Sequence, residues 1–266
     1  MIIAILIFIL IAVVYISLIL PRLISSADMS QLAVDYAHRG LHGEGLPENS
    51  LGAFEEAVEH RYGIELDVQL SRDGVPVVFH DDTLLRVCGV DGAVRDHDLA
   101  DLQKLDLSGN ADYTIPTLRQ VLDLVDGRVP LLIELKTGSK GLWSAVMPML
   151  DEYGGSFCIE SFDPRLLAEV GRTRPRYARG QLVGRSVKEK HTKSLFLNIL
   201  LATLMSHVIS RPDFVACDIN MKGNLSVFLC RKLFHIPVFG WTVRNAEQYA
   251  LCKKSKMNTI FEDILP

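Results

Sequence analysis

The chain has 266 residues, a formal net charge of −4 and 48 % hydrophobic residues. That length supports one large domain with a substantial core, and the slightly acidic balance gives no electrostatic basis for binding nucleic acid. The five cysteines, Cys88, Cys158, Cys217, Cys230 and Cys252, are odd in number and include no Cys-x-x-Cys pair. This excludes a disulfide framework and a cysteine zinc site and favours a reducing compartment.

Met1 to Leu20 carry no charged residue, are rich in Ile and Leu, and stop at Pro21-Arg22. Twenty residues at helical rise cover about 30 Å, the thickness of a bilayer core. A cleaved signal peptide is the alternative, with Ser25-Ser26-Ala27 as its small-residue site. No basic residue precedes the apolar run, however, and the run is longer than a signal core. The expectation is an uncleaved transmembrane anchor at 1–20 and a linker at 21–33. Arg22, with no basic side chain before the span, places the following domain on the cytoplasmic side of a single-pass membrane protein.

From residue 34 onward, short β-rich runs alternate with helical patterns. Strands are expected at Val34–Ala37, Gly63–Val68, Val75–Phe79, Leu131–Leu135, Phe157–Glu160, Gly180–Val183, Phe214–Cys217, Pro237–Thr242 and Asn258–Phe261. Helices are expected at Leu51–His60, Leu118–Val125, Trp143–Tyr153, Arg165–Arg172 and Ala246–Ser255. The alternation predicts an α/β fold with a parallel sheet, and at this length a TIM (β/α)8 barrel over 34–266. Nine strands exceed the eight places of a barrel. Asp73-Gly74 signals a two-residue hairpin, which would make Val75–Phe79 an antiparallel appendage and pair Asp67 with His80. Residues 83–117 lack periodicity and are expected to form a small insertion over the barrel mouth.

Glu65 and Asp67 lie two apart on one strand and so share a face. Glu134 ends another apolar strand. Carboxylates in apolar strands are costly to bury unless paired or bound to metal, and three of them suit a hard, oxygen-seeking divalent cation, Ca²⁺ or Mg²⁺. His38 follows the first strand and His80 follows the hairpin strand; bracketing the acids, they form a candidate acid–base pair. Arg39 and Lys136, next to His38 and Glu134, supply the charge to hold a phosphate.

The ordered motifs Ala37-His38-Arg39-Gly40, Glu65-Leu66-Asp67-Val68, Phe79-His80-Asp81-Asp82 and Ile133-Glu134-Leu135-Lys136 resemble those of the glycerophosphodiester phosphodiesterase family, within the phospholipase C-like phosphodiesterases. The resemblance extends over residues 34–266. It implies the same barrel, a metal at Glu65, Asp67 and Glu134, and hydrolysis of a glycerophosphodiester to glycerol 3-phosphate and an alcohol. Glu48, in Leu46-Pro47-Glu48-Asn49-Ser50, and Trp241, in a Trp-Thr-Val run, match further family elements and are possible substrate contacts; Asn49 or Ser50 would cap the next helix. The segment Asn258 to Asp263 departs from the family's Gly-rich strand closing with Thr-Asp. Alternatives are a lysophospholipase D-type hydrolase of membrane lysophospholipids and a non-catalytic membrane-anchored barrel. Residues 172–193 carry eight Lys or Arg against Glu189 alone, and 195–209 are largely apolar; a face resting on membrane lipid is one reading, a solvated loop and barrel helix the other.

Overall fold

The computed structural model describes residues 1–23, 27–138, 140–184, 195–221 and 223–266, with side chains throughout except at 195–197. The small-residue stretch at 25–26 and residues 185–193 of the basic run lie outside the described residues.

Among the described residues the strands are β1 (Tyr36–Ala37), β2 (Gly63–Leu70), β3 (Pro76–Val78), β4 (Asp106–Leu107), β5 (Asn110–Thr114), β6 (Leu131–Leu135), β7 (Phe157–Ser161), β8 (Ala178–Val183), β9 (Phe214–Asp218), β10 (Val238–Val243) and β11 (Asn258–Phe261). β1 pairs in parallel with both β11 and β2, which closes the order β1-β11-β10-β9-β8-β7-β6-β2 into an eight-stranded parallel barrel. The helices are α1 (Ile2–Ile19), α2 (Leu51–Glu59), α3 (Leu85–Cys88), α4 (Leu99–Leu102), α5 (Leu118–Val125), α6 (Leu142–Glu152), α7 (Pro164–Thr173), α8 (Leu195–Ala202), α9 (His207–Ser210), α10 (Leu225–Lys232) and α11 (Ala246–Lys254). The fold is a TIM barrel with one added strand, as the alternation predicts. Tyr36, Phe214 and Phe239 fill the barrel interior edge to face, with ring centroids 5.8 and 5.0 Å apart. A second shell of apolar contacts, including Phe54, Ile64, Leu66, Val121 and Ile133, lies between strands and outer helices.

β3 is the appendage and runs antiparallel to β2, but its register differs from the expected one. Val68 faces Val78 and Leu70 faces Pro76, so Asp67 lies opposite Phe79, whose N–H donates to the Asp67 carbonyl at 2.9 Å. The turn has three residues, not two: Gly74 N–H returns to the Ser71 carbonyl at 3.0 Å, and Gly74 takes φ +81°. A three-residue loop ending in a left-handed glycine moves the centre of symmetry to Asp73. His80 therefore sits one residue beyond the paired strand, free to turn inward.

The insertion packs on the hairpin. Leu84, Val87, Val94, Leu102, Leu107 and Ile115 form a small core with Val77 and Phe79 of the hairpin. Of this segment Thr83 reaches the central cavity.

Helix α1 is clear of the barrel only in its early turns. Ile19 is fully buried, and Tyr15 and Ile16 pack against the main core.

Gly40 fixes the loop that carries His38 and Arg39. It takes φ +80°, and a Cβ there would lie 2.8 Å from the Ala53 backbone. Gly40→Ala is expected to cost about 2–4 kcal/mol, from left-handed strain and a clash with a backbone that cannot move aside. Urea denaturation of the two proteins measures it; a difference within error would mean the loop is not so constrained.

Candidate active site

The strand ends define a cavity of about 860 Å³ at the C-terminal mouth of the barrel. His38, Arg39, Glu65, His80, Glu134, Lys136 and Trp241 all line it. Asp67 lies directly beneath, 1 % exposed.

The acids come together through register. Asp67 on β2 is level with Glu134 on β6, which is level with Glu160 on β7. Glu65 stands one pleat below on the same face of β2. Carboxylate oxygens of Glu65, Asp67 and Glu134 lie within 4.8 Å of one another. Both oxygens of Asp67 are engaged: Oδ2 accepts from Asn49 Nδ2 at 2.9 Å and faces Arg39 Nε at 3.5 Å, and Oδ1 faces Lys136 Nζ at 3.3 Å. Lys136 also reaches Glu134 at 3.0 Å. Glu65 accepts the Arg39 backbone N–H at 2.9 Å.

These environments separate the four carboxylates. Burial raises the Asp67 pKa, but Lys136, His80 and Arg39 outweigh it and hold Asp67 well below the carboxylate range. Burial dominates at Glu65, with repulsion from Asp67 and Glu134, and raises it well above its ordinary value. Glu134 is raised by burial and by Asp67, less so because Lys136 opposes the shift. Glu160 is raised well above normal by burial and by the other three acids, and its Oε2 has no hydrogen-bond partner among the described residues. Four buried carboxylates thus meet two cations, Arg39 and Lys136. A divalent cation would cancel the difference, and the all-oxygen donor set fits Ca²⁺ or Mg²⁺.

The two histidines differ in their support. His38 Nδ1 faces the carboxylate of Glu262, leaving Nε2 directed at the cavity, 4.0 Å from Glu65. Burial lowers the His38 pKa, against the opposing pull of Glu262. His80 Nδ1 meets Asp81 Oδ1 at 2.6 Å. Asp81 is held in turn by Arg86, which also clasps Glu48 with two hydrogen bonds of 2.7 and 2.9 Å.

Glu48 is not at the cavity surface. Its carboxylate takes Arg39 Nη1 at 2.8 Å as well as Arg86, so it orients a phosphate candidate from behind and stands apart from the three clustered acids. Asn49 and Ser50 divide the roles that sequence left open: Ser50 Oγ caps α2 by accepting Ala53 N–H, whereas Asn49 binds Asp67. Trp241 lines the cavity and meets Phe162 edge to face at 6.1 Å.

Sequence reasoning missed Glu160, Glu262, Asp81 and Arg86. Glu160 carried a usable signal, since it interrupts an apolar strand as Glu134 does. Glu262 stands where the family pattern breaks, at the end of the strand that neighbours β1.

Comparison with known proteins agrees with this geometry. The model of the Glycerophosphoryl diester phosphodiesterase family matches residues 38–265. A glycerophosphodiester phosphodiesterase of Caldanaerobacter subterraneus is 36 % identical over 55 % of this chain, a match spanning 65 % of that enzyme, just under two thirds. The Bacillus subtilis protein YhdW is 31 % identical over 85 % of this chain and 93 % of its own length. Among solved structures, an Oleispira antarctica phosphodiesterase in complex with the product sn-glycerol-3-phosphate superposes with a TM-score of 0.71, at 23 % identity over 86 % of this chain and 92 % of its own. The Thermotoga maritima glycerophosphodiester phosphodiesterase gives a TM-score of 0.67 at 26 % identity, over 86 % of this chain and 94 % of its own. The chain belongs to the glycerophosphoryl diester phosphodiesterase family, and with it to the phosphoric diester hydrolases.

The buried acids make a pH prediction. A carboxyl with a raised folded-state pKa stabilises below its unfolded pKa, near 4.5, and that contribution is lost as pH rises toward the folded value. Glu160→Gln removes one such group. In chelator, the variant is expected to gain stability relative to the parent from pH 5 to pH 8, read by thermal denaturation; a constant difference would mean that Glu160 is not held protonated.

Proposed function

We propose that this protein hydrolyses glycerophosphodiesters to glycerol 3-phosphate and an alcohol, using a divalent cation held by Glu65, Asp67 and Glu134. The observation that carries the reading is the cluster of buried acids Glu65, Asp67 and Glu134 between two differently supported histidines. The product named with the Oleispira phosphodiesterase supports a glycerophosphodiester as the substrate class.

In this reading the cation, Ca²⁺ or Mg²⁺, supplies Lewis-acid polarisation of a phosphoryl oxygen. Arg39 and Lys136 hold the remaining phosphoryl oxygens, with Glu48 and Arg86 fixing the guanidinium from behind. Glu262 accepts the Nδ1–H of His38, so the neutral imidazole presents an unprotonated Nε2 to the cavity; this makes His38 the general base. It takes the proton of the attacking hydroxyl, from water or from the substrate's own glycerol. His80, backed by the Asp81 carboxylate that stabilises an imidazolium, donates a proton to the leaving alkoxide. Trp241 and Phe162 offer apolar surface to the departing group.

A lysophospholipid is the second substrate candidate. It shares the glycerophosphodiester linkage, and α1 would hold the barrel at its source. A non-catalytic barrel has no use for four acids buried at a cost of several kcal/mol each when unpaired. Catalysis on the cytoplasmic side agrees with Cys158, Cys217 and Cys230 being buried thiols rather than disulfides.

The test is a panel of glycerophosphocholine, glycerophosphoethanolamine and lysophosphatidylcholine, with released glycerol 3-phosphate measured at several Ca²⁺ and Mg²⁺ concentrations. Activity should disappear in EDTA and return with one of the two ions. His38→Ala and His80→Ala should each lower turnover by roughly 10²–10⁴-fold without unfolding the protein. Near-parental turnover in either variant removes that histidine from the mechanism, and metal-independent turnover removes the cation.

A further inference from the structure

Helix α1 and the barrel are locked together at the C-terminal end of the helix. Helix ends leave their last carbonyls without intrahelical donors, and here the barrel supplies them. His207 Nδ1–H donates to the Ile19 carbonyl at 3.0 Å, and Arg211 Nη1 donates to the Leu20 carbonyl at 2.8 Å. His207 is fully buried and held down to about 4 by that burial, so it is a neutral donor. Tyr15 Oη meets Ser226 Oγ at 2.7 Å. Beyond the helix, Arg22 N–H reaches the Pro212 carbonyl at 3.0 Å and its guanidinium lies 3.6 Å from Asp213. Tyr15, Ile16 and Ile19 form an i, i+1, i+4 stripe against the barrel. Residues 2–11 are exposed all round.

Length then decides where a membrane can lie. Eighteen residues rise about 27 Å, whereas a bilayer core is about 30 Å thick. The last turn of α1 is already inside the barrel surface, so no spare helix remains to hold the barrel away from the lipid. The direction of the chain selects the face. Tyr15 touches the start of α10, just after Asp218 and Asn220, which line the catalytic cavity. Ile19 to Arg22 touch α9 and the lead into β9, at the opposite end of that strand. The free part of α1 therefore leaves from the mouth-side shoulder of the barrel. That shoulder bears solvent-facing apolar side chains: Leu225 is 60 % exposed, Phe228 47 % and Ile199 44 %. Leu225 and Phe228 are one turn apart on α10 and share a face. Asn224 Nδ2 ties this shoulder to α8 through the Ala202 carbonyl, and Ser226 Oγ does so through the Thr203 carbonyl.

We propose that this shoulder, with Leu225 and Phe228 at its centre, is seated in the interfacial layer of the glycerophospholipid bilayer that α1 enters, so that the catalytic cavity opens beside the headgroups. The proposal rests on α1 being a membrane helix and gives the proposed hydrolase access to lipid-borne glycerophosphodiesters. Apolar side chains at this depth, about 5–10 Å into the headgroup boundary, are the usual contacts of interfacial surfaces. Tyr15 falls at the level where aromatic belts occur.

The experiment uses the full chain in phosphatidylcholine vesicles, with the half-exposed Cys88 replaced by serine and single nitroxide labels at Leu225→Cys, Phe228→Cys or Asp123→Cys. Asp123 lies exposed on α5. Paramagnetic relaxation by oxygen, which partitions into lipid, is compared with relaxation by a water-soluble nickel chelate. The oxygen-to-nickel ratio at 225 and 228 should exceed that at 123 several-fold. Equal ratios at all three positions overturn the proposal, as does failure of the chain to enter vesicles. A label at 225 shielded from both reagents would mark a protein partner on the shoulder and overturns it as well. Glycerol 3-phosphate release from soluble glycerophosphocholine by the same samples reads the catalytic reading separately, since it does not depend on where the shoulder sits.

Discussion

The constraint on which the site depends is the burial of Glu65, Asp67, Glu134 and Glu160 at one end of a closed barrel with two cations to answer them. Parallel register sets Asp67, Glu134 and Glu160 at one level, and no rotamer change can take an inward strand residue out of a closed barrel. Desolvation at these positions is severe, so each neighbouring polar group is recruited. The Arg39 backbone N–H serves Glu65, Asn49 serves Asp67, and Lys136 bridges Asp67 and Glu134. Asp67 is the most fully satisfied and holds its charge. Glu65 and Glu160 are the least satisfied and carry the largest upward shifts. Such an uneven cluster is poor as a folding device and well suited to receive a cation.

The two histidines show how local partners give the same side chain different surroundings. His38 is 14 % exposed, and Glu262 meets its Nδ1 from behind. His80 is a third exposed and leans on Asp81, which is itself held by Arg86. Arg86 continues to Glu48, and Glu48 to Arg39, so the His80 side and the Arg39 side of the cavity are joined by one chain of ion pairs.

Much of this was legible in the sequence because barrel strands are short apolar runs, and a charged residue within one stands out. Glu65, Asp67 and Glu134 were found that way. Glu160 obeys the same rule and was passed over because no histidine or basic residue flags it. The hairpin was legible but its register was not: Asp73-Gly74 fits a two-residue turn and the end of a three-residue turn equally well, and only Gly74's left-handed backbone decides between them. Helix α10 went unseen because Leu225, Val227, Phe228, Leu229 and Cys230 crowd together without a 3.6-residue stripe. The docking of α1 could not be read at all. Its partners lie 188 to 211 residues away, at His207, Arg211 and Ser226, and nothing local announces them. The apolar run reveals what the helix is made of; the barrel determines how it is held.

The proposed metal centre and the attached apolar helix would together give one barrel its chemistry and its position. The central claim is that the acid cluster is built for a divalent cation, and isothermal titration calorimetry tests it most directly. Ca²⁺ or Mg²⁺ titrated into the full chain at neutral pH should bind at one ion per chain, and Asp67→Asn should abolish that binding while leaving the fold intact. Absence of binding at millimolar ion, or undiminished binding by the variant, would contradict the account.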